Sequence, residues 1–293
     1  MKKSLSFSDL WAFKECPQQF LARKQRRARS VNAYQAMGDA AHALYAAPDR
    51  EAAESEVVKH LAVVPEQERK AARQRVEALA QVADDMADDD EVKDREKETT
   101  IRFFDEKSGW WLFAKPDEVS LTMGRFGREV VQVLDIKTGG RLKEKQVHQL
   151  YFFGLVASLE RGYSGPVRLV VRLLAVDEKD PAARQRLYRS VDSVRRYVRR
   201  SLGRINFEVV LHSGGADVVF WYSPKLTQPA LSQARSVMRS IEAAYEKNSF
   251  PAKTGWHCEG CPFKGDCLAY QKRAATASRR LTVMPVRRNE ETA

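Results

Sequence analysis

Residues 128–154, REVVQVLDIKTGGRLKEKQVHQLYFFG, decide the fold of this chain. An apolar, β-branched run ends in Asp135-Ile136-Lys137, two glycines break the chain, and a segment with helical spacing follows at 144–163. The continuous apolar run VRLVVRLLAV at 167–176 is typical of a buried strand. The order strand, helix, strand predicts an α/β core.

Two strand-like segments precede this core, TTIRFFDE at 99–106 and GWWLFAKPDEVSL at 109–121, with turn signals at 107–109 and 124–127. With the strand at 128–139 they predict an antiparallel meander. Asp117 would then lie on a strand next to Asp135 and Lys137. Because side chains alternate along a strand, Asp135 and Lys137 share one face while Ile136 points into the core.

Two aspartates and a lysine on neighbouring strands are groups that phosphodiester hydrolysis requires. Carboxylate oxygens bind Mg²⁺ or Mn²⁺, and a nearby cation orients water or stabilises developing charge. For Asp135-x-Lys137 alone, the ordinary alternative is a solvated ion pair at a strand end. His42, in GDAAHALY, and Gln149 are further candidates, with a structural histidine and an exposed helix position as their alternatives.

The remaining sequence is mainly helical in pattern. Helices are predicted over 6–45, 49–87 and 228–247, a solvated acidic connector over 87–98, a strand over 216–223, and a mobile tail over 275–293. Residues 181–202 predict a basic amphipathic helix with its apolar face formed by Leu187, Val191, Val194 and Val198. Its arginines lie mostly outside that face, and this pattern predicts that the helix binds the phosphates of DNA.

Four cysteines indicate a second metal site. Cys258, Cys261 and Cys267 are spaced C-x2-C-x5-C near the C-terminus, and Cys16 lies near the N-terminus. Four thiolates suit tetrahedral zinc and an iron–sulfur cluster equally well, so spacing does not choose between them. The alternative, four unrelated buried thiols, does not account for this local spacing.

The bulk composition limits the function class. The 293 residues include 50 Lys and Arg against 39 Asp and Glu, a formal charge of +11 that favours a polyanionic partner. We expect a cytoplasmic protein with no membrane partner, because no apolar run reaches membrane-spanning length and the start lacks a signal-peptide pattern. Few, clustered cysteines favour metal ligation over a disulfide framework.

The residues Gly38, His42, Asp117, Asp135, Lys137 and Gln149, in this order and spacing, resemble the PD-(D/E)xK nuclease superfamily, specifically its RecB-type branch. The resemblance implies a restriction-endonuclease-like core, a mixed central sheet flanked by helices. It also implies that His42, Asp117 and Asp135 ligate the catalytic metal, that Lys137 serves the attacking water, and that Gln149 holds the site or the DNA.

One cysteine before the histidine motif and three after the last long helix resemble the iron–sulfur nucleases of that branch, the AddB-type recombination nucleases and CRISPR-adaptation exonucleases. This resemblance implies that Cys16, Cys258, Cys261 and Cys267 hold a structural [4Fe–4S] cluster that joins the chain ends. It implies one nuclease domain over 1–274, with a helical insertion at about 48–95 and the basic helix at about 181–204.

The function expected from these features is that of a Mg²⁺- or Mn²⁺-dependent DNA exonuclease in recombination, repair or CRISPR-type defence. Its expected partners are single-stranded DNA or DNA ends, with a helicase, a recombination protein or a CRISPR-adaptation protein beside them. Two alternatives are a catalytically inactive accessory protein that grips DNA and a zinc-stabilised nucleic-acid-binding protein. The intact Asp117, Asp135 and Lys137 argue against the first.

Overall fold

The structure, a computed structural model, describes residues 3–25, 33–47, 50–88, 92–97, 99–123, 128–259 and 261–282. The chain forms two compact units. The first comprises Met1–Phe7 and Val31–Arg235, and the second comprises Ser8–Ser30 and Ser236–Ala293.

The first unit contains two sheets and five complete helices within its described residues. Its strands are β1 (Ser4–Ser6), β2 (Val92–Lys97), β3 (Ile101–Asp105), β4 (Trp110–Ala114), β5 (Glu118–Met123), β6 (Glu129–Lys137), β7 (Val167–Leu173), β8 (Glu208–His212) and β9 (Gly215–Tyr222). Its helices are α3 (Ala33–Ala46), α4 (Arg50–Leu61), α5 (Glu66–Asp88), α6 (Glu144–Glu160) and α7 (Pro181–Leu202).

The larger sheet has six strands in the order β2-β5-β6-β7-β9-β8. Strands β6 and β7 are parallel and are connected through α6, while the other neighbours are antiparallel. The predicted mixed sheet flanked by helices is therefore confirmed, as is the strand, helix, strand order. Gly154 lets α6 approach the sheet, since an added Cβ would lie 3.1 Å from Leu169 and 3.2 Å from Tyr222.

The predicted meander is wrong at its middle strand. Residues 109–121 form two strands, because β4 belongs to a three-stranded sheet of order β1-β4-β3 while β5 belongs to the larger sheet. The chain changes sheets at Lys115–Asp117, where Pro116 has no amide hydrogen to continue the ladder. Asp117 therefore precedes β5 instead of lying within a strand. The predicted turn at 107–109 is present, whereas 124–127 lie outside the described residues.

Sequence patterns also missed three strands. Strand β1 lies before the predicted first helix and overlaps it only at Ser6, and β8 follows the basic helix. Strand β2 lies where the predicted helical insertion ends and within the predicted acidic connector. These residues form a strand because their backbone pairs with β5. A charged sequence is common on an edge strand, which explains why periodicity did not identify it.

The second unit contains most of α1 (Phe7–Glu15), α2 (Pro17–Lys24), the C-terminal part of α8 (Thr227–Glu246) and α9 (Leu268–Thr282). Rings of Phe13, Phe20, Tyr245 and Phe250 pack against one another around the buried Phe20, with the centroids of Phe13 and Phe20 5.4 Å apart. Residues 275–282, predicted as mobile tail, are helical, as their Ala- and Arg-rich sequence favours. Residues 283–293 of that tail lie outside the described part. Among the described residues, no helix has the length and apolar composition needed to cross a bilayer.

Candidate active site

Five side chains singled out in the sequence line one cleft of the first unit. His42 comes from α3, Asp117 from the segment before β5, Asp135 and Lys137 from the end of β6, and Gln149 from α6. Register explains how the carboxylates meet, since Glu118 pairs with Leu134 and so places the preceding Asp117 beside Asp135. Residues from four separate chain segments thus converge.

Asp117 is fixed by the backbone of β6. Its amide donates to the carbonyl of Leu134 at 3.1 Å, and its Oδ2 accepts from the amide of Ile136 at 2.5 Å. Its other oxygen, Oδ1, lies 2.9 Å from Nδ1 of His42. Both carboxylate oxygens are therefore engaged, and the histidine is held against the strand end.

Asp135 is the most enclosed group of the cleft, with its side chain 3% exposed. Its Oδ2 lies 2.5 Å from Nζ of Lys137, two residues along the same face of β6. Its Oδ1 accepts a hydrogen bond from Nε2 of Gln149 at 3.4 Å. The carboxylate is thereby oriented from both sides, by a cation and by an amide.

Burial and neighbouring charge move the pKa values of this cluster in different directions. Burial raises the pKa of Asp135. The negative charge of Asp117 raises it further, although the positive charge of Lys137 opposes the shift. At Asp117 burial is outweighed by the hydrogen bond and charge of His42, by Lys137 and by the Ile136 amide, so its pKa is lowered. A divalent cation in the cleft would favour the ionised form of both carboxyls.

The basic groups of the cluster stay protonated more readily than in water. Burial lowers the pKa of Lys137, but the charges of Asp135 and Asp117 outweigh it and the net pKa is raised. Burial likewise opposes protonation of His42, and its hydrogen bond to Asp117 raises the pKa overall. The four groups therefore balance one another's charge.

The donor set suits a hard divalent cation. Two carboxylates and one imidazole provide the oxygen and nitrogen ligands that Mg²⁺ and Mn²⁺ accept. In the structure Nδ1 of His42 contacts Asp117, while Asp135 contacts Lys137 and Gln149, and across the described residues no three His, Cys, Asp or Glu side chains surround a common metal position.

Helix α3 is attached to the sheet by contacts that the sequence did not reveal. The buried hydroxyl of Tyr45 donates to Glu118 at 2.7 Å, next to Asp117. Nζ of Lys97 lies 4.1 Å from the centroid of the Tyr45 ring. These contacts fix the helix that carries His42 to β5 and β2.

Four polar residues of the cleft were missed by sequence reasoning, namely Asp39, Glu56, His60 and Lys115. Glu56 and His60 come from α4, where Nε2 of His60 lies 3.8 Å from Oε2 of Glu56. Their spacing of four residues puts them on one helical face, and this was the available signal. The helical insertion thus contributes a wall of the cleft.

The four cysteines line a single pocket of the second unit. Cys16 and Cys258 are buried, Cys261 and Cys267 are half-buried, and all four are free thiols. Burial raises the pKa of the Cys261 thiol, and the proximity of the other three sulfurs raises it further. The donor set fits a four-thiolate centre, although these sulfurs, like the other potential ligands of the described residues, do not surround a common metal position.

Comparison with known proteins gives the family. The family model of the PD-(D/E)XK nuclease superfamily matches residues 4–268. Among solved structures, the crystal structure of SSO0001 is similar with 10% identity and a TM-score of 0.40, covering 92% of this chain and 88% of that one. No curated protein matches the sequence significantly. Because the family match spans nearly the whole chain and includes every residue of the cleft, the chain belongs to the PD-(D/E)XK nuclease superfamily.

Proposed function

We propose that this protein is a Mg²⁺- or Mn²⁺-dependent DNA exonuclease whose active site is the cleft around Asp117, Asp135 and Lys137. The observation that carries the proposal is the convergence of these three groups with His42 in one cleft. A solvated ion pair between Asp135 and Lys137 would require neither a second carboxylate hydrogen-bonded to the same strand nor a histidine hydrogen-bonded to that carboxylate.

In this proposal His42, Asp117 and Asp135 hold the cation. When bound, a divalent cation would polarise the scissile phosphate and make a bound water molecule more acidic. Lys137 orients the attacking water and stabilises negative charge that develops on the phosphate oxygens. Gln149 keeps Asp135 in position through its 3.4 Å hydrogen bond.

Digestion of labelled DNA tests the exonuclease proposal. We expect linear DNA labelled at one end to be degraded progressively from a terminus in Mn²⁺, and a closed circle of the same sequence to stay intact. Equal cutting of the circle would show that the enzyme does not need an end. No cutting of either substrate, in Mg²⁺ or Mn²⁺, would contradict the nuclease itself.

We also propose that Cys16, Cys258, Cys261 and Cys267 hold a structural [4Fe–4S] cluster. Support comes from their common pocket and from the donor chemistry, since four thiolates suit such a cluster. The amide of Gly255 donates to Sγ of Cys258 at 3.3 Å, the kind of hydrogen bond that stabilises a thiolate. Iron and zinc are told apart by colour, because an iron–sulfur protein absorbs near 400 nm and a zinc protein does not.

Helix α7 is proposed to bind the DNA backbone. It is the predicted basic helix, and its apolar face of Leu187, Val191, Val194 and Val198 is buried as expected. Its arginine face borders a groove lined by Arg195, Arg196, Arg199, Arg204, Ile205, Asn206 and Phe207. Ser201 of α7 contacts His148 at 3.3 Å, and His148 precedes Gln149 on α6. Helix α7 thus contacts the helix that carries the cleft residue Gln149.

Replacing Arg195, Arg196, Arg199 and Arg200 with serine should weaken DNA binding and reduce the salt dependence of the affinity. Each arginine that no longer pairs with a phosphate lowers the slope of log affinity against log salt by about one unit, so we expect a decrease of up to about 4. The measurement is fluorescence anisotropy across a salt titration. A matched control replaces four exposed basic residues of α5 with serine, namely Arg69, Lys70, Arg73 and Arg75. Equal slopes for the two variants would assign α7 to another role.

A further inference from the structure

The three-stranded sheet β1-β4-β3 has two unlike faces. One face is buried and includes Leu5, Ile101, Trp110, Leu112 and Ala114. Solvent-facing strand positions usually carry polar residues. Here the opposite face carries large aromatic side chains, and we call the set Arg102, Phe104, Trp111 and Phe113 the aromatic face.

Cross-strand pairing places the members of the aromatic face next to each other. Phe104 is directly opposite Trp111, and Arg102 is directly opposite Phe113. The rings of Phe104 and Trp111 lie 5.1 Å apart at 45°, and the residues are 42% and 48% exposed. On β1, Ser4 pairs with Trp111, so a small side chain stands beside the indole instead of covering it. The face is therefore open to a flat ligand.

The aromatic face is close to the cleft in sequence. Trp111 and Phe113 are two residues apart, the period that keeps side chains on one side of a strand, and β4 ends at Ala114, one residue before Lys115. Trp111 and Phe113 line an open groove with Arg102, while Lys115 lines the cleft that contains Asp117. Only Pro116 separates Lys115 from Asp117.

We propose that the aromatic face stacks unpaired bases of the nucleic acid strand whose backbone enters the cleft. This inference rests on the proposed nuclease function and names the surface that positions its substrate. Aromatic rings stack on any base, and arginine and lysine attract the phosphates between the bases. Proteins that bind unpaired strands combine these two features.

Charge and position favour nucleic acid over a protein partner. The chain carries a formal charge of +11, Arg102 lines the groove beside Phe113, and Lys115, two residues after Phe113, lines the cleft. Phe113 is four residues from Asp117, which limits the distance between their Cα atoms to about 14 Å, so the aromatic face lies near the cleft where a phosphodiester is proposed to react.

Base-dependent binding tests the proposal. A fluorescein-labelled oligothymidylate and an abasic oligomer of equal length are titrated by anisotropy in EDTA, which prevents cleavage. Each base stacked on an aromatic ring contributes about tenfold in affinity. We expect wild type to prefer the thymidylate by about 100-fold, and the full-length double variant Phe104→Ser/Trp111→Ser to lose that preference while its affinity for the abasic oligomer is unchanged.

A control variant removes two other exposed apolar side chains, as Val58→Ser/Val63→Ser, and should keep the preference. Thermal unfolding monitored by circular dichroism establishes that the aromatic variant is folded. Equal preference for thymidylate in wild type and in the folded aromatic variant would overturn the proposal, even if wild type cleaves DNA in Mn²⁺. Conversely, a wild type that does not cleave but shows the preference only with intact aromatics would contradict the nuclease function and retain the base-stacking surface.

Discussion

Asp135→Asn should lower the rate of Mn²⁺-dependent DNA cleavage by on the order of a thousandfold or more. The substitution keeps the shape of the side chain and its contact with Gln149, but removes the charge that would hold the cation. Asp135 is buried beside Lys137, so the substitution also removes the carboxylate that pairs with this lysine. Asp117→Asn and Lys137→Met should have effects of similar size.

These variants should remain folded and should bind DNA nearly as wild type does, since the loss falls on transition-state chemistry. Single-turnover digestion of end-labelled DNA measures the effect, with anisotropy in EDTA to measure binding. Asp85→Asn, an exposed carboxylate on α5, is the matched control and should cleave at the wild-type rate. Wild-type rates in Asp135→Asn would contradict the assignment of the cleft.

Cys16→Ser should remove the absorbance near 400 nm and lower the melting temperature by about 10 °C or more. A centre that links Cys16 to Cys258 closes a loop over most of the chain, and a cross-link of that length is worth on the order of 5 kcal/mol. For a protein of this size, 1 kcal/mol corresponds to roughly 2–4 °C.

Anaerobic purification, iron analysis and calorimetry measure these changes. Gln19→Ala, which alters a non-thiol residue of the same pocket, should keep its iron and its melting temperature. Full iron content and full absorbance in Cys16→Ser would contradict a four-cysteine cluster. A colourless wild type that contains zinc would contradict the iron–sulfur cluster but would retain the four cysteines as metal ligands.

The central part of the fold could be predicted from sequence because its patterns are strong. The apolar runs of β6 and β7 and the helical spacing of α6 have few other interpretations, and the valines of α7 define a clear buried face. Short or charged edge strands such as β1 and β2 have no such pattern, since their strand state comes from pairing with a neighbour.

The candidate site was predictable in its residue types but not in its surroundings. Asp135 and Lys137 share a face because side chains alternate along a strand. Asp117 lies beside them because the chain changes sheets at Pro116, and the predicted meander did not include this change. Tyr45 holds Glu118 because α3 contacts β5, and His60 lines the cleft because α4 packs on α3. The spacing of Glu56 and His60 puts both on one helical face, but the surface that this face covers is set by tertiary packing.

The most direct test of the account is Mn²⁺ binding measured together with cleavage. Wild type and Asp117→Asn/Asp135→Asn are freed of metal with EDTA and dialysed, and Mn²⁺ is returned stepwise while bound ion is followed by electron paramagnetic resonance. We predict that DNA cleavage by wild type rises as Mn²⁺ binds, and that the double variant loses both. Equal Mn²⁺ binding by the two proteins, or cleavage by wild type without a divalent cation, would contradict it.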